Sequence, residues 1–159
     1  MNTIYLLLGS NMGNSREQLR MAAKYIDKKI GKITRKSKLY QTAAWGKEDQ
    51  PDFLNQVVVL ESRADAATCI SMVLDIEQLM GRVRTEKNAP RIIDIDILYF
   101  NKDIINLPHL QVPHPAIPLR RFVLVPLNEL SPAFIHPVLQ KTNHRLLAIC
   151  TDRLDVKKI

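Results

Sequence analysis

Asp94 and Asp96 stand two residues apart in Asn88–Phe100, "NAPRIIDIDILYF", a run otherwise apolar enough to read as a β-strand. Alternate side chains of a strand share a face, so the two carboxylates lie on one side, roughly 7 Å apart along the chain. Ile93, Ile95 and Ile97 take the other side. A solvated row would suit two aspartates, but Ile92, Leu98 and Phe100 have their parity. The pair is therefore set into a strand that is apolar on both faces, where unpaired charge is costly. Neighbouring basic side chains could compensate it, Arg91 first. The alternative is magnesium, which favours one or two carboxylates together with phosphate oxygens.

The arginines fit the second reading. Arg82, Arg84 and Arg91 bracket a loop that feeds straight into the aspartates, and Arg120 with Arg121 follows "VPHPAIPL". Arginine grips phosphate through a planar fork of donors and keeps its charge. A single exposed arginine is usually a solvated charge, but three around the mouth of a carboxylate pair suit phosphoryl transfer. "GSNMGN" lacks G-K-[ST], so any nucleotide site is not a Walker loop. Phe53 and Asn55 share a strand face with Val57 and Val59. They are either core and edge residues or a stacking surface and edge reader for a flat heterocycle, with Phe122 as a second wall. Glu77, on the apolar stripe of a helix, is a stripe-edge residue or a partner for an arginine or ligand.

These residues need elements to hold them. "TIYLLLG" is a short buried strand ending at Gly9. A helix follows, with Ser15 and Gln18 forming a capping box and Leu19, Ala22, Ala23, Ile26 and Ile30 as its inner stripe. "KITRKSKLYQT" reads as a second strand and "DFLNQVVVLES" as a third. A second helix, capped by Asp65, runs through Gly81 with Ile70, Val73, Leu74 and Met80 inward. The aspartate stretch is the fourth strand. The order β-α-β-β-α-β predicts an α+β, ferredoxin-like sandwich: an antiparallel sheet with both helices on one face. Beyond Phe100 a proline-punctuated C-terminal extension packs back as loops and short helices, ending in a helix around Asn143–Cys150.

The 159 residues suit one domain, 1–159, large enough to bury a core without staples. Cys69 and Cys150 form no metal-like cluster and suit a reducing compartment, so the expected location is cytoplasmic. "IYLLLG" is too short for a membrane span and lacks the flanks of a signal peptide. The net charge of +7 asks for an anionic partner, nucleic acid or phosphorylated metabolite, or reflects solubility alone.

"KNAPRIIDIDIL" (87–98) resembles the signature of the 6-hydroxymethyl-7,8-dihydropterin pyrophosphokinase family. "LLGSNMGN", "DQPDFLNQVV", "GRVR" and "VPHPAIPLRRFVLVPL" resemble its other blocks in the same order, from residue 6 to about 130. The resemblance implies pyrophosphate transfer from ATP to the hydroxymethyl group of the reduced pterin, with release of AMP, on a ferredoxin-like fold with two Mg2+ ions. It implies that Asp94 and Asp96 hold the metals, that Arg82 and Arg91 grip the phosphates with Asp96 among the catalytic groups, and that Arg84 stands in the same loop. His114 and Arg120 would face the triphosphate, and Glu77 with Ile97 the nucleotide side. Phe53 and Phe122 would sandwich the pterin, with Thr42, Asn55 and Asp94 at its edge. ATP and the pterin are then the expected partners of a monomer that uses neither nucleic acid nor membrane. Two departures from the family pattern are Ala44, followed by Trp45, where many members have proline, and Asn88 where some have an aromatic.

Two rivals make different demands. A nucleic-acid-binding sandwich wants aromatics on its central strands, which here offer Val, Ile and Asp. A two-metal phosphatase or nuclease usually needs more ligands than this pair.

Overall fold

The computed structural model describes residues 1–43, 50–83 and 90–159. Arg84, Ala44, Trp45 and Asn88, singled out above, lie outside the described residues. Among the described residues, eight strands and four α-helices follow one another: β1 (Asn2–Ser10), α1 (Ser15–Lys29), β2 (Lys32–Lys36), β3 (Tyr40–Thr42), β4 (Phe53–Ser62), α2 (Ala66–Leu79), β5 (Asp94–Phe100), β6 (Ile105–Leu107), β7 (Leu110–Val112), α3 (Arg121–Leu130), α4 (Asn143–Ile149) and β8 (Lys157–Lys158). The main sheet runs β5-β1-β4-β3-β8, with β2 also pairing β4; β1 and β4, which hold its centre, are both antiparallel to their neighbours.

Period-two alternation splits the buried residues between two layers. Ile4, Leu6, Leu8, Val58, Leu60, Ile93, Ile95 and Ile97 pack against Leu19, Ala22, Ala23 and Ile26 of α1 and Cys69, Val73 and Ile76 of α2. On the opposite face, Tyr5, Leu7, Val57, Val59, Leu98 and Tyr99 pack against Val123, Leu124 and Leu127 of α3 and Leu146 of α4. The proline-rich extension thus supplies helices for the second face, and that second face carries the site.

The structure corrects several local expectations. Asn14, not Ser15, caps α1: its side chain accepts the Glu17 N–H at 3.2 Å, so no Ser15–Gln18 capping box forms. Leu74 is exposed; Cys69, Val73, Ile76 and Glu77 form the inner stripe of α2 instead. The expected single strand 32–42 is two. Ser37 breaks it: its N–H donates to the Val57 carbonyl and its hydroxyl oxygen accepts the Val57 N–H at 3.0 Å, so a side chain stands in for the strand's own carbonyl. Finally, β5 changes face. Asp96 pairs with Leu7 and Ile97 with Leu6, but Tyr99 pairs with Tyr5, leaving Leu98 as an extra residue in a bulge. Phe100 therefore joins the α1/α2 core rather than sharing the side of the aspartates.

The turn from α1 to β2 is made by a very close backbone approach. A Cβ added at Gly31 would lie 2.2 Å from the Glu61 carbonyl oxygen and 2.8 Å from Ser62 Cβ. Gly31→Ala is expected to lower stability by about 1–3 kcal/mol through this overlap, read as a fall in the urea midpoint at unchanged slope.

Candidate active site

On the α3 face, cross-strand pairing lines up four residues: Asp94 opposite Gly9, Gly9 opposite Asn55, and Asn55 opposite Tyr40. Neighbouring rows place Asp96 beside Leu7 and Thr42 beside Phe53. Gly9 supplies no side chain, so the centre of the sheet is bare there. The hollow above it measures about 600 Å³ including its open mouth, a ligand-sized volume. Thr42, Phe53, Asn55, Asp94 and Phe122 all line it, and so do Asp96, Arg91 and Arg120. Sequence reading missed Leu7, Gly9 and Ala43 in the lining; the odd-numbered parity of Tyr5, Leu7 and Gly9 would have placed two of them on this face.

The lining is flat-sided and polar at its edges. The Arg91 guanidinium lies 5.7 Å from the Phe53 ring centroid, and that of Arg120 lies 5.7 Å from the Phe122 centroid. Two aromatic walls thus each have a cation beside them. Asn55 is 3% exposed and lines the hollow. The Thr42 hydroxyl is buried without a hydrogen-bond partner among the described residues. A buried polar group of this kind normally has a partner, which a ligand in the hollow would supply.

The charged end has two unlike carboxylates. Asp94 is compensated: Arg82 Nη1 donates to its Oδ1 at 2.8 Å and Arg91 Nη1 to its Oδ2 at 3.1 Å. Asp96 accepts no hydrogen bond among the described residues, and the imidazole Nε2 of His114, charged only when protonated, lies 3.9 Å from it. A third of the Asp96 side chain is still wetted, yet its surroundings push its pKa up to about 8. Burial is the chief cause, then the charges of Asp94 and Glu77, opposed by Arg82 and Arg120. His114 is driven the other way, chiefly by burial and then by Arg120. Its Nδ1 accepts the Ala116 N–H at 3.1 Å, which leaves the proton on Nε2, the nitrogen nearest Asp96.

Glu77 is not among the residues that line the first hollow. It is 3% exposed, accepts a hydrogen bond from Arg82 Nη1 at 2.9 Å and another from the Ile95 N–H at 2.8 Å. Its place is beneath the site, tying Arg82 to β5 between the two aspartates. A second hollow adjoins the first and shares Asp96 with it; Ile70, Ile97, His109 and His114 are among its walls. The two hollows meet over the under-coordinated carboxylate. No group of three or more His, Cys, Asp or Glu side chains suited to a metal occurs among the described residues. The donor set is therefore an aspartate pair with one member lacking partners, which fits a hard cation that takes its remaining ligands from a bound phosphate.

A profile of the 7,8-dihydro-6-hydroxymethylpterin-pyrophosphokinase family matches residues 5–132. The chain belongs to this family. The match spans every residue lining the first hollow. Relatives include the 2-amino-4-hydroxy-6-hydroxymethyldihydropteridine pyrophosphokinase of Aquifex aeolicus, 36% identical over 141 residues, covering 89% of this chain and 88% of that protein. The Bacillus subtilis protein of the same name is 37% identical over 130 residues, covering 81% and 78%. The folic acid synthesis protein FOL1 of Dictyostelium discoideum is 36% identical over 145 residues, and the chain spans only 22% of its length. The fold is also that of the wild-type Plasmodium falciparum HPPK-DHPS solved with pteroate, with TM-score 0.76 at 21% identity over 92% of this chain and 42% of that one. No helix among the described residues is long and apolar enough to cross a membrane.

Proposed function

We propose that the chain transfers pyrophosphate from ATP to 6-hydroxymethyl-7,8-dihydropterin and releases AMP, as a step in folate biosynthesis. The observation that supports this most is the meeting of two hollows at Asp96. One is a flat slot edged by Asn55 and the unpartnered Thr42 hydroxyl; the other adjoins it beside His114 and Ile97. A reduced pterin fits the first by stacking between Phe53 and Phe122, with its edge read by Asn55 and Thr42. The nucleotide fits the second, with its phosphates running toward Asp94 and Asp96. The strand order β5-β1-β4, with β2 and β3 on the outer side of β4, supports the ferredoxin-like reading within the coarser α+β fold. Residues 1–159 are proposed to act as one pyrophosphokinase domain, a monomer in the cytoplasm, with ATP and the pterin rather than nucleic acid or membrane as partners.

Asp94 and Asp96 would hold two Mg2+ ions, whose chemistry is to neutralise phosphate oxygens and lower the barrier to an incoming oxygen. The residues of the chain do the rest. Phe53, Phe122 and Asn55 orient the pterin so that its hydroxymethyl oxygen faces the β-phosphorus of ATP. That oxygen forms a new bond to β-phosphorus as the bond from β-phosphorus to the α,β-bridging oxygen breaks, and AMP leaves with the bridging oxygen. Arg82 and Arg91 hold charge on the transferred group. His114 Nε2–H and Arg120 donate to phosphate oxygens. The hydroxyl proton would pass to Asp96, or be lost from a hydroxyl that the bound cations would make more acidic.

Gly9 gives this reading a sharp test. A Cβ there would lie 2.8 Å from Asn55 Oδ1 and 3.8 Å from Phe53 Cδ1. Its φ is outside the left-handed region, so alanine suits the backbone. Gly9→Ala is expected to weaken pterin binding about tenfold or more by displacing the Asn55 carboxamide, roughly the cost of a lost edge contact, with MgATP binding within twofold. Calorimetric titration of each ligand reads it. The reaction itself is read by phosphorus NMR with MgATP, with and without the pterin. Pterin-dependent AMP and a pterin diphosphate are expected; ADP and phosphate instead would overturn the reading.

A further inference from the structure

Asn11 follows β1 directly, is 2% exposed, and lines neither the slot nor the adjoining hollow. Its backbone N–H donates to the Arg91 carbonyl at 3.2 Å, and its Oδ1 accepts the Arg91 N–H at 2.9 Å. Its Nδ2 donates to Gln50 Oε1 at 3.0 Å and to the Pro51 carbonyl at 3.2 Å. Chemistry fixes the orientation of this carboxamide, because the Arg91 N–H can only donate and the Pro51 carbonyl can only accept. One buried side chain therefore holds two segments that are distant in sequence. The first delivers Arg91 to Asp94, three residues on; the second delivers Phe53 to the slot, two residues after Pro51. The held groups also meet, since the Arg91 guanidinium lies 5.7 Å from the Phe53 ring centroid.

We propose that Asn11 is a positioning residue that couples the two ends of the site, setting Arg91 for the phosphates and Phe53 for the pterin from a single buried carboxamide. The proposal rests on the functional reading above and deepens it. Neither leucine nor aspartate can replace the group: leucine offers no polar atom, and aspartate keeps the acceptor for Arg91 but loses both donors to residues 50 and 51. The signature is a residue that touches neither ligand yet governs the affinity for both.

The test is calorimetric binding of two probes, the reduced pterin and α,β-methylene ATP with Mg2+, to the wild-type chain and to Asn11→Ala. Both affinities are expected to weaken about fivefold or more, the order of one or two lost buried hydrogen bonds. In an Arg91→Ala background, adding Asn11→Ala is expected to weaken pterin binding further while leaving nucleotide binding unchanged, because the guanidinium that Asn11 positions is already gone. Asn11→Asp at pH 8.5 is a milder second variant and is expected to weaken pterin more than nucleotide. If Asn11→Ala only lowers the unfolding temperature and both affinities stay at wild-type values, the coupling is overturned and the residue is merely structural. Equal losses of pterin and nucleotide affinity in Asn11→Asp would overturn the division of labour between its two ends. A wild-type chain that binds neither probe would overturn the functional reading, and the coupling with it.

Discussion

Asp96→Ala is expected to lower pterin-dependent turnover by about a thousandfold or more, the order seen when a group that meets developing charge is removed. It should also make the unliganded fold more stable. The two effects have one cause. Asp96 sits at the junction of the two hollows with no hydrogen-bond donor among the described residues, so its ionised form is disfavoured and its pKa is pushed up to about 8. A carboxyl whose folded pKa exceeds its unfolded value binds more protons folded than unfolded. Stability is therefore lost as pH rises from about 4, the ordinary carboxyl range, towards 8. Asp96→Ala removes that loss. Thermal unfolding without divalent cations should show the variant gaining most over the wild type near pH 8 and little near pH 4. Partial wetting of the side chain tempers the size of the gain but not its sign. Near-wild-type turnover with Mg2+ present would remove Asp96 from the mechanism.

Arg82→Met is expected to fail in both respects. Arg82 Nη1 serves Glu77 Oε2 and Asp94 Oδ1 together, and its side chain is only 11% exposed. Taking it away leaves a 3%-exposed carboxylate short of a cation, at a cost of about 3 kcal/mol. Turnover should fall by roughly 10³–10⁵, as for arginines that hold charge in other phosphoryl transfers. Adding Glu77→Gln separates the two roles. The double variant should regain most of the unfolding midpoint, since no buried charge is stranded, and none of the activity. Recovered turnover would show that Arg82 acts only as the partner of Glu77.

Much of this was legible in the chain because chemistry and periodicity agreed. The aspartates at 94 and 96 and the phenylalanine and asparagine at 53 and 55 each share a strand face, and cross-strand pairing brings the two sets across Gly9. Other features left no periodic trace. Ser37 interrupts a run that alternates like one strand, because its hydroxyl takes the β4 N–H that a continuing backbone would have bonded. The choice between Asn14 and Ser15 as cap is a one-residue matter of geometry, and both are good capping residues. Leu74 satisfied a helical stripe on spacing alone, whereas Ile76 and Glu77 occupy the inward positions. Glu77 was legible as an odd carboxylate on an apolar stripe. Which partner it chose became clear only once Arg82 and the Ile95 N–H were in place. Asn11 carried no signal of its own in the sequence, since its partners at residues 50, 51 and 91 are remote along the chain.

The extra residue in β5 sets a phase between chemistry and scaffold. Asp96 and Tyr99 are an odd number of positions apart, so an unbroken strand would send them to opposite layers. With Leu98 as the inserted step, both face the same layer. There Tyr99 stacks on Phe134 at 4.4 Å between centroids and donates its hydroxyl to Asn143 Oδ1 at 2.7 Å. The ring that anchors the C-terminal helices is thereby held in step with the carboxylate that lines both hollows. Lengthening or shortening Ile97–Tyr99 by one residue would keep every side chain and still put pillar and carboxylate out of phase. The length of this span is as much a part of the site as the identity of its residues.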